Sequence, residues 1–268
     1  LTAALMLGLT GCASGSDTNG SDAQSQADTA EVQSAWTELD QTTITKEMGM
    51  GWNLGNQLEA SNAGIPSETA WGNPTISEDL IKAVKEQGFK TVRIPVSYLN
   101  KIGAAPDYTI DSAWLDRVQE VVDYVVGNDL YAIINIHGDG YYTVDKSWLR
   151  CVDDNQDEIK DKYEKVWAQI ADRFKDYDQH LIFESMNEEF DNTYGKPNAT
   201  GYENINAYNQ IFVDTVRKTG ANNEKRWLLI PGWNTNIEYT AGNYGFVIPT
   251  DSGCCLLYTS DAADDSLR

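Results

Sequence analysis

Apolar residues fall along this chain in two alternating rhythms. Short unbroken apolar runs read as strands buried on both faces, and stretches with apolar residues every three or four positions read as amphipathic helices. Gly49 to Gly55 (GMGWNLG) opens the series as a strand turning into a long loop. A helix is predicted over Ser77 to Gln87. Ser77 caps it, Glu78 and Asp79 suit its first turn, Leu80, Ile81 and Val84 share a face, and Gly88 stops it. Thr91 to Ser97 is the second strand, with Pro95 at its exit or at a bulge. Ser112 is predicted to cap a helix with an apolar face of Leu115, Val118, Val121, Val122 and Val125. Tyr131 to Ile136 is the third strand and His180 to Met186 the fourth. Helical faces at Ile159, Tyr163, Val166, Trp167, Ile170 and Phe174, and at Ile205, Tyr208, Ile211, Phe212 and Val216, flank that fourth strand. Arg226 to Pro231 is the fifth.

Strands starting near residues 49, 91, 131, 180 and 226, with a helix between each successive pair, require a parallel sheet. An open nucleotide-binding sheet would carry a Gly-rich phosphate turn leading straight into a helix. Gly49 to Gly55 does not have that form. The expected fold is α/β, a (β/α)8 barrel of which about five of the eight βα units are present.

The two ends follow neither rhythm. Residues 1–11 read as part of a lipoprotein signal peptide, with Leu9-Thr-Gly-Cys12 resembling a lipobox and Cys12 as the lipidated residue. Residues 12–35 are rich in Ser, Asp, Gly, Asn and Gln and read as a flexible tether. The barrel portion is assigned to residues 36–253. Residues 254–268 continue no earlier pattern, resemble a translated sequencing adapter, and are expected to be a non-native tail. These ends imply a lipid-anchored protein of the bacterial cell surface or exterior. Membrane contact would be only through the anchor, and a monomer is expected.

Composition narrows the chemistry. The net charge of −21 argues against nucleic acid and favours a neutral substrate over a polyanion. Two histidines, His137 and His180, supply a His-based metal centre poorly, and no cofactor or metal is assigned. Eight Trp and fourteen Tyr are numerous enough for some to serve as sugar-stacking surfaces.

The fourth strand carries the sharpest chemical signal. His180-Leu-Ile-Phe-Glu-Ser-Met-Asn187-Glu188-Glu189 is an apolar run ending in an amide and two carboxylates. The C-terminal ends of barrel strands are where catalytic groups sit. An Asn beside a Glu there supplies a proton donor and an amide that can hold a sugar hydroxyl.

Several ordered motifs then resemble one family. They are Gly51-Trp-Asn-Leu-Gly-Asn56, Glu68-Thr-Ala-Trp-Gly-Asn73, Thr91-Val-Arg-Ile-Pro95, Ile134-Asn-Ile-His137, Trp167 to Phe174, and Leu181 to Glu188. Together they resemble glycoside hydrolase family 5, the cellulase family, and its subfamily 4, over about Trp36 to Asp251. The resemblance implies a retaining endo-acting glycosidase for β-1,4-glucans: cellulose, mixed-linkage glucan or xyloglucan. It implies Glu188 as general acid/base, which must protonate the departing oxygen and later activate water. It implies Asn187 at the sugar 2-hydroxyl, Arg93 and His137 lining the subsite of the cleaved sugar, and Asn53, Trp148 and Trp233 placed to contact glucose units. Glu189 stands where the family often has Pro and is expected to be structural. The run His137 to Tyr142 lacks a second His and looks more like members that accept xyloglucan. The family nucleophile, a Glu of a seventh strand, and a His-x-Tyr of the sixth have no counterpart here, so the chain itself is expected to be inactive. Mannanase activity within the same family, and a non-catalytic carbohydrate-binding lipoprotein, stand as alternatives at this point.

Overall fold

The structure is a computed structural model. It describes residues 36–251 and the strand 254–257, so the signal peptide, Cys12, the tether and the end of the tail lie outside the described residues. The described part begins with helix α1 (Gln41–Met48) and strand β1 (Gly51–Asn53). A small hairpin of β2 (Ser61–Asn62) and β3 (Ile65–Pro66) interrupts the loop that leads to α2 (Glu78–Glu86). The alternation then runs β4 (Thr91–Ile94), α3 (Ser112–Val126), β5 (Tyr131–Ile134), α4 (Gln156–Phe174), β6 (Leu181–Glu184), α5 (Ala199–Lys218) and β7 (Leu228–Pro231). Helix α6 (Ile237–Ala241) and strand β8 (Cys254–Leu257) follow.

The large sheet has the order β1-β4-β5-β6-β7-β8, and every neighbouring pair in it is parallel. Chain order equals spatial order, as in six successive strands of a (β/α)8 barrel. The sequence reading gave five strands and ended the barrel at residue 253. The sixth arises because Cys254–Leu257 pairs with β7, from Leu228↔Cys254 to Pro231↔Leu257. A parallel ladder is made by backbone groups, so an extended run beside β7 joins the sheet whatever pattern its side chains follow.

Successive side chains on a strand point to opposite faces. On one face Val92, Ile94, Ala132, Ile134, Leu181, Phe183, Leu228 and Ile230 join the apolar stripes of the helices in one core. On the other, Tyr131, Ile133 and Ile182 form a second cluster with Ile44 of α1. Helix α1 has no strong apolar period and escaped the sequence reading. Polar bonds dock it against the starts of the strands: Tyr131 donates to Glu47 at 2.7 Å, Thr91 to the Met48 carbonyl at 2.7 Å, and Trp227 to the Leu39 carbonyl at 3.1 Å. The lower inside of the barrel is therefore apolar and closed, and its upper inside holds the polar groups.

One local expectation shifts and another holds. Asp111, not Ser112, caps α3, accepting from the backbone of Ala113 and Trp114. A carboxylate one position earlier satisfies the same free N–H groups and also favours the helix dipole. Pro95 does follow the last residue of β4, where no ladder donor is needed.

A buried cation locks the base of the site-bearing strand. Arg226 is fully buried and donates to the carbonyls of Phe174, Tyr177, Asp178 and Leu181 and to the Asn223 side chain. Its guanidinium lies 4.8 Å from the Phe183 ring centroid. It joins the end of α4 to β6 and fixes the height of everything β6 carries. Arg226→Met would remove the side-chain donor shared by four carbonyls and the Asn223 side chain. A loss of about 3 kcal/mol or more in urea denaturation is expected, and an unchanged midpoint would contradict this role.

Candidate active site

The upper inside of the barrel is organised around Arg93 on β4. Its side chain points inward because Val92 and Ile94 take the outer face. Opposite it stands Glu184, the last residue of β6, which is fully buried. Arg93 Nε donates to Glu184 Oε2 at 2.7 Å and Nη2 donates to Oε1 at 2.6 Å, a forked pair. Nη2 also donates to Asn187 Oδ1 at 2.8 Å, and Nη1 to Asn53 Oδ1 at 3.2 Å. Asn135 donates its amide to Glu184 at 3.1 Å. One ion pair thus holds side chains from β1, β4, β6 and the loop beyond β5.

The segment after β6 is fixed from behind as well. Tyr163 and Trp167 of α4 both donate to the Ser185 carbonyl, at 2.7 and 3.1 Å. Ser185 Oγ donates to Asn209, whose amide donates to the Pro231 carbonyl. The Asn187 backbone N–H donates to the Ile136 carbonyl at 2.9 Å. These bonds leave little freedom in the backbone that presents Asn187 and Glu188.

Arg93 can only donate, so its bond to Oδ1 settles which way the Asn187 amide faces. The NH2 end is left for Tyr141, whose hydroxyl oxygen accepts from Asn187 Nδ2 at 2.7 Å. The same hydroxyl donates to Glu188 Oε2 at 3.4 Å. Glu188 is 6 % exposed, so it is nearly enclosed at the end of β6. His137 is buried beside this group. Burial and the Arg93 charge hold its imidazole well below the usual histidine range, so it is neutral at pH 7 and can offer one donor and one acceptor.

The loop after β5 is tied together by Asp139. It accepts from the backbone of Tyr98 and Leu99 and from Trp148 Nε1 at 2.8 Å. Burial nevertheless pushes this carboxyl up to about 6, against the pull of those N–H groups. Trp148 is half-buried, with the Lys162 ammonium 4.4 Å from its ring centroid. Its N–H is committed to Asp139, which leaves ring surface rather than a polar tip for any ligand.

The residues expected at the site therefore separate. Asn53, Arg93, His137, Asn187 and Glu188 converge, and Trp148 lies in the neighbouring loop held by Asp139. Trp233 does not join them. It is 1 % exposed, packed against Tyr202 at 5.8 Å between ring centroids and against Gly201, so it is a core residue and not a sugar contact. Sequence reasoning missed Glu184 and Tyr141. For Glu184 a signal existed: a carboxylate inside an apolar strand, on the same face as Ile182, has to find a cationic partner.

Glu189 is the least ordinary group here. It is 1 % exposed, and neither of its carboxyl oxygens has a hydrogen-bond partner among the described residues. Burial, with Asp139 and Glu188 nearby, drives its carboxyl well above the usual range. It fits only because residue 140 is glycine, since a Cβ there would lie 1.6 Å from Glu189 Oε2. The folded chain therefore keeps a proton that the unfolded chain releases above about pH 4.3. Stability from this group is full below that point and declines as pH rises toward the folded value. Glu189→Gln mimics the protonated form. Its denaturation midpoint is expected to exceed the parent's at pH 8, with the gap shrinking toward pH 5. A constant gap would show that Glu189 keeps no proton on folding.

A model of the family described as Cellulase (glycosyl hydrolase family 5) matches residues 55–259. Endoglucanase A of Paenibacillus barcinonensis is 65% identical over 209 residues, covering 78% of this chain and 52% of that protein. A xyloglucan-specific endo-beta-1,4-glucanase of Bacteroides ovatus is 38% identical, over 80% of this chain and 43% of its own length. The chain thus spans about half, or less, of the curated relatives it matches. Among solved structures, a family 5 xyloglucanase from Paenibacillus pabuli superimposes with a TM-score of 0.77 at 66% identity, covering 78% of this chain and 58% of that one. A GH5-4 broad specificity endoglucanase from Ruminococcus champanellensis gives 0.76 at 40% identity, over 83% and 66%. On a family match over most of its length, this chain belongs to glycosyl hydrolase family 5, the cellulase family.

Proposed function

We propose that this chain forms the acid/base side of the cleft of a retaining endo-β-1,4-glucanase that cuts cellulose-type backbones, including those of xyloglucan. One observation carries the reading: Glu188 stands at the mouth of the barrel next to Asn187, and the Asn187 amide is oriented by Arg93. Relatives described as endoglucanases and as xyloglucanases support the substrate class.

In this reading Glu188 gives its proton to the glycosidic oxygen as the C1–O bond breaks. A carboxylate supplied by a later part of the barrel takes the sugar as a covalent ester. Glu188, now ionised, accepts a proton from the water that cleaves that ester and returns to its acid form. Asn187 holds the 2-hydroxyl of the sugar being cleaved, a bond that strengthens as charge develops at C1. Tyr141 joins Asn187 to Glu188, so the two act from one fixed frame.

No carboxylate described near Glu188 is placed for the nucleophile's task. Glu184 is engaged by Arg93, Asp139 accepts backbone N–H groups, and Glu189 faces Gly140. The purified 268-residue chain is therefore expected to release no reducing sugar from carboxymethylcellulose or xyloglucan; measurable release would contradict this. In a complete barrel containing this segment, Glu188→Ala is expected to lower kcat by about a thousandfold or more. Near-normal turnover would end the assignment. In the same protein Asn187→Ala is expected to lower kcat far more than it raises KM, because its bond matters most in the transition state. A pure KM effect would place Asn187 outside the reacting subsite.

A further inference from the structure

In the run His137-Gly138-Asp139-Gly140-Tyr141 beyond β5, each residue shapes one turn. Gly138 has φ +80°, a left-handed conformation that a side chain would strain, although a Cβ there would meet nothing within 4 Å. The Tyr141 N–H donates to the Gly138 carbonyl at 3.3 Å and closes the turn. Asp139 anchors it on both sides. Its carboxylate accepts from the backbone of Tyr98 and Leu99, and its carbonyl accepts from the N–H groups of Trp148 and Leu149 at 2.7 and 2.9 Å. Gly140 leaves room for Glu189. The turn delivers the half-buried ring of Tyr141 to the end of β6, edge-on to His137 with 6.5 Å between ring centroids.

There the direction of each hydrogen bond is forced. The Arg93 guanidinium can only donate, so Asn187 turns Oδ1 toward it and Nδ2 away. Nδ2 can only donate, so the Tyr141 hydroxyl oxygen accepts from it at 2.7 Å. The hydroxyl proton is turned to Glu188 Oε2, at 3.4 Å. Donors thus run in one sense from Arg93 to Asn187 to Tyr141 to Glu188, starting at a fixed positive charge. Each bond in such a chain polarises the next. A hydrogen bond donated to a carboxylate favours its ionised form.

We propose that Tyr141 is a positioning residue that stabilises the ionised form of Glu188 at the end of this donor chain. Its use in catalysis rests on the glycosidase reading given above, in which Glu188 has to be ionised to accept a proton from water in the second half of the reaction. Other charged or titratable groups surround the pair: Arg93 of β4 with Glu184 of β6, His137 and Asp139 beyond β5, and Glu189, next in the chain. A change confined to the Tyr141 hydroxyl leaves all of these in place.

The test follows Glu188 itself and needs no catalysis. The 268-residue chain is labelled with carbon-13 in its glutamate carboxyls and titrated by NMR, the Glu188 signal being identified by its loss in Glu188→Gln. Tyr141→Phe keeps the ring and removes the hydroxyl. Its Glu188 midpoint is expected about half a pH unit above the parent's, the loss of one hydrogen bond to the charged form. A monofluorinated tyrosine placed at position 141 keeps the hydroxyl and donates more strongly, so it is expected to move the midpoint down. If the Phe variant fails to fold, the fluorinated chain decides alone. Equal midpoints, or any pattern other than up for Phe and down for the fluorinated ring, overturn the proposal. Near-normal turnover of Glu188→Ala in a complete barrel would instead overturn the glycosidase reading and leave the titration result standing.

Discussion

The buried ion pair between Arg93 and Glu184 is the constraint on which the site depends. Both groups are withdrawn from water, and such a pair is no gift to stability. Its attraction roughly offsets the cost of desolvation, while removal of one partner leaves the other stranded at about 3–5 kcal/mol. Its value is geometric. The fork defines the plane of the guanidinium, and the remaining N–H groups then dictate where the oxygens of Asn53 and Asn187 must lie. Strands β1, β4 and β6 are thereby held in one arrangement at their upper ends.

The chemistry is graded along the barrel axis. At the bottom, Ile44, Tyr131, Ile133 and Ile182 form a dry plug closed by α1. Above it come Arg93, Glu184 and Asn135, charged or polar but mutually satisfied. At the mouth, Asn187, Tyr141 and Glu188 face the cleft. Each layer supports the next: the plug lies beneath the ion pair, and the ion pair fixes the groups proposed to meet substrate. A proton donor held this way reorganises little during reaction, which is the main advantage of a preorganised site. Glu189 is the exception. Its carboxyl has no hydrogen-bond partner among the described residues, and a glycine at position 140 gives it room.

Much of this was legible in the sequence, for identifiable reasons. Strands buried on both faces and helices with clear apolar stripes gave the alternation and hence the parallel sheet. Asn187 and Glu188 stood out as polar residues at the end of an apolar run, whereas Arg93 and His137 were picked out by the resemblance to the cellulase family. What escaped was whatever depends on contacts remote in sequence. Helix α1 is held by Tyr131, Thr91 and Trp227, not by its own pattern. Glu184 was passed over within its strand because its partner Arg93 is distant in sequence. Trp233 follows a strand as a ligand-facing residue would, yet Tyr202 and Gly201 enclose it. The strand at Cys254–Leu257 could not be read because backbone pairing with β7 leaves no signature in side chains.

The central claim is that Glu188 is the acid/base of a retaining glycosidase, and azide rescue tests it most directly. The barrel segment would be joined to the remaining strands of the Paenibacillus pabuli xyloglucanase, with Glu188→Ala introduced, and assayed on an aryl cellobioside whose leaving group needs no protonation. The ester intermediate then forms but waits for a nucleophile that needs no base. Azide is expected to restore turnover and to yield the β-configured cellobiosyl azide. No rescue, or an α-configured azide, would contradict the role given to Glu188.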